Sequence, residues 1–120
     1  MIGATHRFHG LGSLRFAYSK GKTVRGQKLA LKYALNNRRQ EFRAAVVVAK
    51  KVHKSAVVRN RIRRRVYAIL GEHQTEITQP YDLIISVYSP DVATMSAEEL
   101  AVIVKSLLGQ AGVLSLEAKK

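Results

Sequence analysis

Two segments in the first half of the chain alternate between large apolar residues and small or charged ones, as β-strands do. In residues 28–35, leucines and a tyrosine alternate with lysines and alanines, which predicts a strand with one buried face. Residues 42–50 are rich in valine and predict a second strand. Because only the polar run 36–41 separates them, we expect an antiparallel hairpin, with a short strand at 22–24 before it.

Apolar residues spaced three and four positions apart predict three helices, at residues 13–20, 55–71 and from 96 onward. Ser13 and Gly21 fit the N-cap and the C-terminal stop of the first helix. In the last helix, Ser96 followed by Glu99 is a capping-box sequence, and Gly109 or Gly112 ends the helix. The apolar stripe of this helix consists of Leu100, Ile103, Val104 and Leu107.

Residues 81–88 are apolar at nearly every position, which is typical of a strand that is covered on both faces. The element order is therefore helix, two or three strands, helix, strand, helix. We expect an α+β fold, a two-layer sandwich with a small mixed sheet. Residues 1–120 have the length of a single domain, in which we expect residues 1–10 and 115–120 to be loosely held.

The helix predicted at residues 55–71 combines an apolar stripe with a high density of arginine. One side of this helix carries Val58, Ile62, Val66 and Ile69. The opposite side carries Asn60, Arg61 and Arg64, with Arg59 and Arg63 along one edge of the stripe and Arg65 along the other. We therefore expect the stripe to dock the helix on the core and to leave a basic ridge exposed. Guanidinium groups suit phosphate oxygens, whereas Asn60 fits either a contact with RNA or a bond to a neighbouring loop.

The charge of the chain is distributed unevenly. The net charge is +13, but residues 1–65 hold 18 Lys and Arg against one acid, whereas residues 66–120 hold three lysines against seven acids. No acid occurs between Arg43 and Gly71. Such a one-sided excess is costly unless a polyanion neutralises it, so we expect a nucleic-acid partner whose binding weakens with salt. A helix face that is merely solvated tends to mix charges of both signs.

The loop before this helix adds Lys50, Lys51 and Lys54, and a basic loop that leads into a helix N-terminus is suited to phosphate. An ordinary connection between a strand and a helix is the alternative. The rival class of helix-turn-helix DNA binders needs a second short helix directly before the reading helix. A strand-like segment precedes it here, so the pattern disfavours DNA.

Other classes of function find little support in the composition. The chain has no cysteine, and it has neither the apolar run of a signal peptide nor a stretch of about 20 apolar residues that would span a membrane. Its four histidines lack metal-like partners, and no Ser-His-Asp arrangement is visible. We expect a cytoplasmic protein without catalytic or metal-binding residues of its own.

The segment "VVVAKKVHKSAVVRNRIRRRVYAIL" closely resembles the protein component of bacterial ribonuclease P. That family has a valine-rich strand, a Ser-Lys-Lys turn and an Ala-Val-x-Arg-Asn-Arg-x-Lys/Arg-Arg helix. Weaker similarity extends to "FAYSKGKTVRG", to "YDLIISV" and to the C-terminal helix. This chain departs from the pattern at Ala49, where serine is usual, at His53, where glycine is usual, and at Leu14, where phenylalanine is frequent. The last strand also lacks a terminal arginine.

The resemblance implies a protein that binds a catalytic RNA, which removes the 5′ leader of precursor tRNA with Mg²⁺. It implies that the basic helix crosses over between parallel strands and lies against the RNA subunit. The RNA-binding residues would be Arg59, Asn60, Arg61, Arg63, Arg64, Lys50, Lys51 and Lys54. The cleft for the single-stranded leader would contain Tyr18, Lys32, Leu14 and Lys50, with small Ala30 and Ala34 leaving room beside Lys32.

The partners expected from this resemblance are the ribonuclease P RNA and precursor tRNA. Neither a membrane nor DNA is expected as a partner, and the protein alone is expected to be a monomer. Catalysis would belong to the RNA subunit, which would also use the Mg²⁺. A general RNA-binding protein of the ribosomal type, without a role in cleavage, is the alternative that the charge pattern leaves open.

Overall fold

A computed structural model describes residues 21–26, 28–35 and 42–114 of the chain. The strands are β1 (Lys22–Arg25), β2 (Leu29–Leu35), β3 (Arg43–Val48) and β4 (Tyr81–Val87). The helices are α1 (Ala56–Glu72) and α2 (Ala97–Ala111), and short 3-10 turns occupy Gln74–Glu76 and Pro90–Ala93. The helix predicted at residues 13–20 lies outside the described residues.

The four strands form one mixed sheet in the order β1-β2-β4-β3. β4 pairs with β2 in antiparallel register and with β3 in parallel register. The predicted hairpin between β2 and β3 is therefore wrong, because β4 lies between them. A strand that is apolar on both faces is most favourable at the centre of a sheet, and β4 has that composition. The parallel pair requires a crossover, and α1 provides it as expected.

The hydrophobic core lies between one face of the sheet and the two helices. α1 packs on β3, α2 packs on β1 and β2, and the helices contact each other. The fully buried residues at this interface include Leu29, Leu31, Ile62, Val66, Leu83, Leu100 and Val104. The two-layer α+β arrangement is thereby confirmed. At the end of β2, however, Leu35 is 46% exposed although the alternation predicts it on the buried face.

The predicted starts of both helices are confirmed, as is Gly112, one of the two glycines expected to end α2. The Ser55 hydroxyl accepts a hydrogen bond from the backbone N–H of Val58, and the Ser96 hydroxyl accepts one from Glu99. α2 ends at Gly112, whose φ of 74° lies in the left-handed region that glycine adopts without strain. Neither helix in the described part of the chain is long and apolar enough to cross a membrane.

Candidate nucleic-acid interface

α1 exposes its polar residues as its periodicity predicts. Asn60, Arg61 and Arg64 are exposed, while the side chains at the edges of the stripe are half-buried. The buried stripe consists of Ile62, Val66, Ile69 and Leu70, so it extends one residue further than predicted, and Val58 is only partly buried. The helix is thus fixed to the sheet along one side and presents a continuous polar surface on the other.

Arg59 holds the loop before α1 in place. Its Nη1 donates hydrogen bonds to the backbone carbonyls of His53 at 2.8 Å and Lys54 at 2.9 Å. His53 Nδ1 accepts the backbone N–H of Ser55 at 3.0 Å, so the histidine also shapes this turn. Arg59 therefore has a structural task that its position in the Arg-Asn-Arg sequence does not reveal.

Asn60 is at the centre of the bonds on the exposed face. Its Oδ1 accepts a hydrogen bond from Arg63 Nη2, and its backbone carbonyl lies 3.4 Å from Arg64 Nε. Of the two roles that the sequence leaves open for Asn60, a bond to the loop is not the one observed. Arg61 makes no hydrogen bond within the described part of the chain. Its guanidinium is therefore available to a partner.

Arg65 is turned away from this face. Its Nη1 donates to the carbonyl of Val92 at 2.7 Å and its Nη2 donates to the carbonyl of Met95. These bonds tie the turn between β4 and α2 to the side of α1. Arg65 is thus occupied in the fold, whereas its neighbour Arg64 is exposed.

The exposed lysines of the loop adjoin the start of α1. Lys50, Lys51 and Lys54 are exposed, and the first turn of α1 contains no acid. A helix N-terminus already carries partial positive charge, so the lysines and the helix end favour an anion together. We refer to Lys50, Lys51, Lys54, Asn60, Arg61 and Arg64 as the basic surface.

Of the four residues expected in the leader cleft, the described part of the chain contains two, Lys32 and Lys50. Lys32 is half-buried on the face of β2 that points away from α1 and α2. Its neighbours Ala30 and Ala34 are only 3% and 8% exposed. Whether they leave room for a guest beside Lys32 stays a prediction. Tyr18 and Leu14 lie outside the described residues.

A buried ion pair between β3 and β4 is not predicted by the hydrophobic pattern. Arg43 Nε and Nη2 donate to the two carboxylate oxygens of Asp82, each at 2.9 Å. Arg43 and Asp82 are opposite each other in the parallel register. The sequence does show a charged residue at the start of each of these apolar strands. These two residues predict an ion pair only when the pairing of the strands is known.

A second ion pair joins the start of β2 to the turn before α2. Lys28 Nζ donates to Asp91 Oδ2 at 2.9 Å. This hydrogen bond, and then the positive charge of Lys28, lower the pKa of the Asp91 carboxyl below its ordinary value. Among the described residues, no group of three His, Asp or Glu could hold a metal ion.

Comparison with known proteins identifies the family. The family model of Ribonuclease P matches residues 3–112. The Ribonuclease P protein component of a Pseudanabaena species is 32% identical over 97 residues, which is 81% of this chain and 83% of the relative. That of Roseiflexus castenholzii is 38% identical over 81 residues, which is 68% of this chain and 66% of the relative.

Solved structures agree in fold. The RNase P protein of Staphylococcus aureus has a TM-score of 0.81 at 23% identity, with 92% of this chain and 98% of that chain covered. The RNase P protein of Thermotoga maritima has a TM-score of 0.72 at 17% identity, with 81% and 89% covered. With the family match over most of its length, this chain belongs to the ribonuclease P protein family.

Proposed function

We propose that this chain acts in ribonuclease P by binding the catalytic RNA through the basic surface. Its family consists of protein subunits of an endoribonuclease that removes the 5′ leader of precursor tRNA, and catalysis in that family belongs to the RNA. The observation that carries the proposal is the exposure of Arg61 and Arg64 beside three exposed lysines, in a segment without acids.

The basic surface suits the backbone of a folded RNA. Arg61 and Arg64 present planar forks of N–H donors, which match pairs of phosphate oxygens. Lys50, Lys51 and Lys54 add point charges at the helix N-terminus. Each phosphate that is neutralised releases counterions, so affinity falls steeply as salt rises. Mg²⁺ serves the RNA subunit in this proposal, as the family resemblance implies.

The other residues of the expected RNA-binding set divide by their observed bonds. Arg59 positions the loop that carries Lys54, and Arg63 orients the amide of Asn60. We assign these two an indirect part in RNA binding, while direct phosphate contacts fall to Arg61 and Arg64. The NH₂ group of Asn60 remains a donor for a ribose or a base, because its oxygen is engaged with Arg63.

For the leader, the proposal keeps Lys32, Lys50, Tyr18 and Leu14 on the strength of the family resemblance. We further propose that the protein works in the cytoplasm, is a monomer by itself, and binds neither DNA nor a membrane. The arrangement around α1 supports RNA over DNA, because β3 and a loop precede α1 where a helix-turn-helix protein has another helix.

The direct test is 5′ processing of a precursor tRNA by a bacterial ribonuclease P RNA at low Mg²⁺, with and without this protein. We expect the RNA alone to be nearly inactive and the protein to restore cleavage at the correct site. If the protein binds the RNA and leaves cleavage unchanged, the role in ribonuclease P is wrong and a general RNA-binding function remains.

Variants of the basic surface test the assignment of residues. Arg61→Ala and Arg64→Ala should each weaken binding to the RNA subunit and reduce the salt slope by about one contact, without lowering the unfolding midpoint. Lys105→Ala, an exposed lysine of α2, is the matched control and should leave both quantities unchanged. Loss of the fold in either arginine variant would assign that arginine a structural role instead.

A further inference from the structure

A hollow of about 280 Å³ lies at the end of the sheet where β2 finishes and β4 begins. It is lined by Lys22, Tyr33, Ala34, Leu35 and Tyr81, which we call the tyrosine pocket. The volume is near the lower limit of small-ligand sites, so it suits one planar group rather than a long ligand. None of these residues belongs to the basic surface, and only Ala34 adjoins the expected leader cleft, where it flanks Lys32.

Two tyrosine rings in mutual contact form the aromatic wall of the tyrosine pocket. The rings of Tyr33 and Tyr81 are 6.4 Å apart between centroids and meet at 67°, an edge-to-face arrangement. Both rings are half-buried and pack against the hydrophobic core. Neither phenol hydroxyl hydrogen-bonds to a described residue. The two rings are therefore packed against each other and against the core, and within the described part of the chain their hydroxyl groups are open to a ligand.

The rim of the tyrosine pocket is apolar and basic. Leu35 is 46% exposed at the end of β2, and the exposed Lys22 makes no ion pair with a described acid. An exposed leucine beside two tyrosines offers a stacking surface, and a lysine adds a contact for phosphate. By contrast, a hollow of about 380 Å³ beside α2 is bordered by Glu98 and Glu99, whose carboxylates would repel a phosphate.

The tyrosine pocket is far from the lysine loop of the basic surface. Val48, after which the lysine loop begins, is aligned through β4 with Leu29 at the start of β2. Leu35 is six residues after Leu29 in β2, which corresponds to about 20 Å at the rise of an antiparallel strand, and Tyr81 of β4 pairs with Leu35. An RNA strand at the pocket and an RNA segment at the lysine loop would therefore be two separate contacts.

We propose that the tyrosine pocket binds one unpaired nucleotide of RNA, with the base against Tyr33 and Tyr81 and its phosphate on Lys22. This inference rests on the proposed function, because it supplies the RNA. The nucleotide comes either from the precursor tRNA or from an unpaired position of the RNA subunit, and the chemistry of recognition is the same. Specificity for a particular base is not part of the proposal, since every base has a face that can stack.

The first experiment uses the full chain with its tyrosines labelled for NMR and a short unpaired RNA oligonucleotide as the probe. We expect the ring signals of Tyr33 and Tyr81 to shift on titration. Tyr88, which is exposed just beyond the other end of β4, lies at the end of the sheet that carries the lysine loop, so a shift of Tyr88 alone would report binding at the basic surface and not at the pocket. If the oligonucleotide binds and the ring signals of Tyr33 and Tyr81 stay unchanged, the inference is overturned.

Two variants give an independent measurement. Tyr81→Leu removes the stacking ring and should weaken oligonucleotide binding about tenfold, whereas Tyr81→Phe keeps the ring and should bind as the unaltered chain does. Lys22→Gln changes an exposed side chain and should weaken binding by a smaller factor, even if Tyr81→Leu proves unstable. Unchanged affinity in both Tyr81→Leu and Lys22→Gln would overturn the inference.

The source of the nucleotide is determined in the assembled holoenzyme. If Tyr81→Leu weakens binding of precursor tRNA but not of mature tRNA, the nucleotide is in the leader. If it weakens assembly with the RNA subunit, the nucleotide belongs to that RNA. If the protein restores cleavage but the ring signals of Tyr33 and Tyr81 do not change on addition of RNA, the pocket inference is wrong and the role in ribonuclease P stands. If the ring signals shift on addition of RNA but the protein does not restore cleavage, the role in ribonuclease P is wrong and the pocket inference stands.

Discussion

The two helices pack on the same face of the sheet, but their exposed faces differ. α1 carries five arginines and no acid in its first turn. α2 has Glu98 and Glu99 in its first turn, a serine cap at its start and a left-handed glycine at its end. Acids near a helix N-terminus interact favourably with the helix dipole, so α2 has local features that stabilise a helix.

α1 shares the serine cap but lacks the acids and the left-handed glycine, and it contains charge pairs that oppose the helix. Arg59 and Arg63 are four residues apart, as are Arg61 and Arg65, and like charges at this spacing destabilise a helix by a few tenths of a kcal/mol each. α1 is held instead by its buried stripe and by the bonds of Arg65 to the following turn. The comparison indicates that the exposed face of α1 is suited to a polyanion at the expense of helix stability.

The largest effect on stability should come from the buried apolar stripe that each of the two helices has. Ile62→Ala in α1 and Leu100→Ala in α2 each leave a cavity at a fully buried site and should lower the free energy of unfolding by about 2–5 kcal/mol. Urea denaturation measures the loss. Val57→Ala and Val102→Ala, at positions that are 66% and 68% exposed, are the controls and should change it by less than about 0.5 kcal/mol. A small loss at Ile62 would mean that α1 is not anchored by its stripe.

Neighbouring arginines of α1 should differ next. Arg65→Ala leaves the carbonyls of Val92 and Met95 without their donor and should cost about 1–3 kcal/mol of stability. Arg64→Ala should cost less than about 0.5 kcal/mol, because the side chain is exposed. Affinity for the RNA subunit should show the reverse order. Equal losses of stability in the two variants would contradict the assignment of Arg65 to the fold and of Arg64 to RNA binding.

An exchange at matched helix positions sharpens the contrast between the two helix starts. Val57 and Glu98 are both the second residue of their helices. Val57→Glu places an acid near the dipole and four residues before Arg61, so it should stabilise the protein by about 0.3–1 kcal/mol. Glu98→Val should destabilise it by a similar amount. Thermal unfolding at low salt measures both changes.

The same exchange separates stability from function. Val57→Glu should weaken RNA binding although it stabilises the fold, because it adds negative charge where phosphate is expected. Glu98→Val should leave RNA binding unchanged. If Val57→Glu improved both stability and RNA affinity, the start of α1 would not be part of the RNA-binding surface.

The smallest effect concerns the pair Lys28–Asp91, which joins the basic and the acidic halves of the chain. The pKa of Asp91 is lowered in the folded protein. The stability that the pair contributes is therefore complete above the ordinary pKa of the carboxyl, and it is lost as pH falls through the lowered pKa. The pair is exposed, so the effect is modest. Urea midpoints from neutral pH to about pH 3 should decline slightly more for the unaltered chain than for Asp91→Asn. Parallel curves would argue against the pair.

Local patterns in the sequence predict the helices and strands but not the order of the strands. Ser55, Ser96 and Gly112 act through neighbours in sequence, and their positions at the helix ends are confirmed. The hairpin prediction failed because residues 28–35 and 42–50 are close in sequence, whereas β4 competes for the same place through its apolar composition. Pairing between distant strands depends on packing that periodicity does not contain.

Helical periodicity predicts which arginines of α1 are exposed, but it does not predict which arginines form hydrogen bonds within the fold. The angle around α1 predicts that Arg61 and Arg64 face outward. The bonds of Arg59 and Arg65 end on backbone carbonyls of His53, Val92 and others, which any sequence would provide. The tyrosine pocket likewise depends on β2 and β4 being neighbours, and Tyr33 and Tyr81 by themselves indicate only strand residues.

The central position of β4 has a consequence for synthesis of the protein. β2 and β3 pair only through β4, which is the last strand to leave the ribosome. A nascent chain that ends before Tyr81 therefore has the basic helix and the β1–β2 pair, but it has no β4 to join that pair to β3, on which the helix packs. We expect prematurely terminated chains of this length to stay unfolded and to be degraded readily. The basic helix is thus made early, but it becomes part of a folded protein only after residues 81–87 are translated.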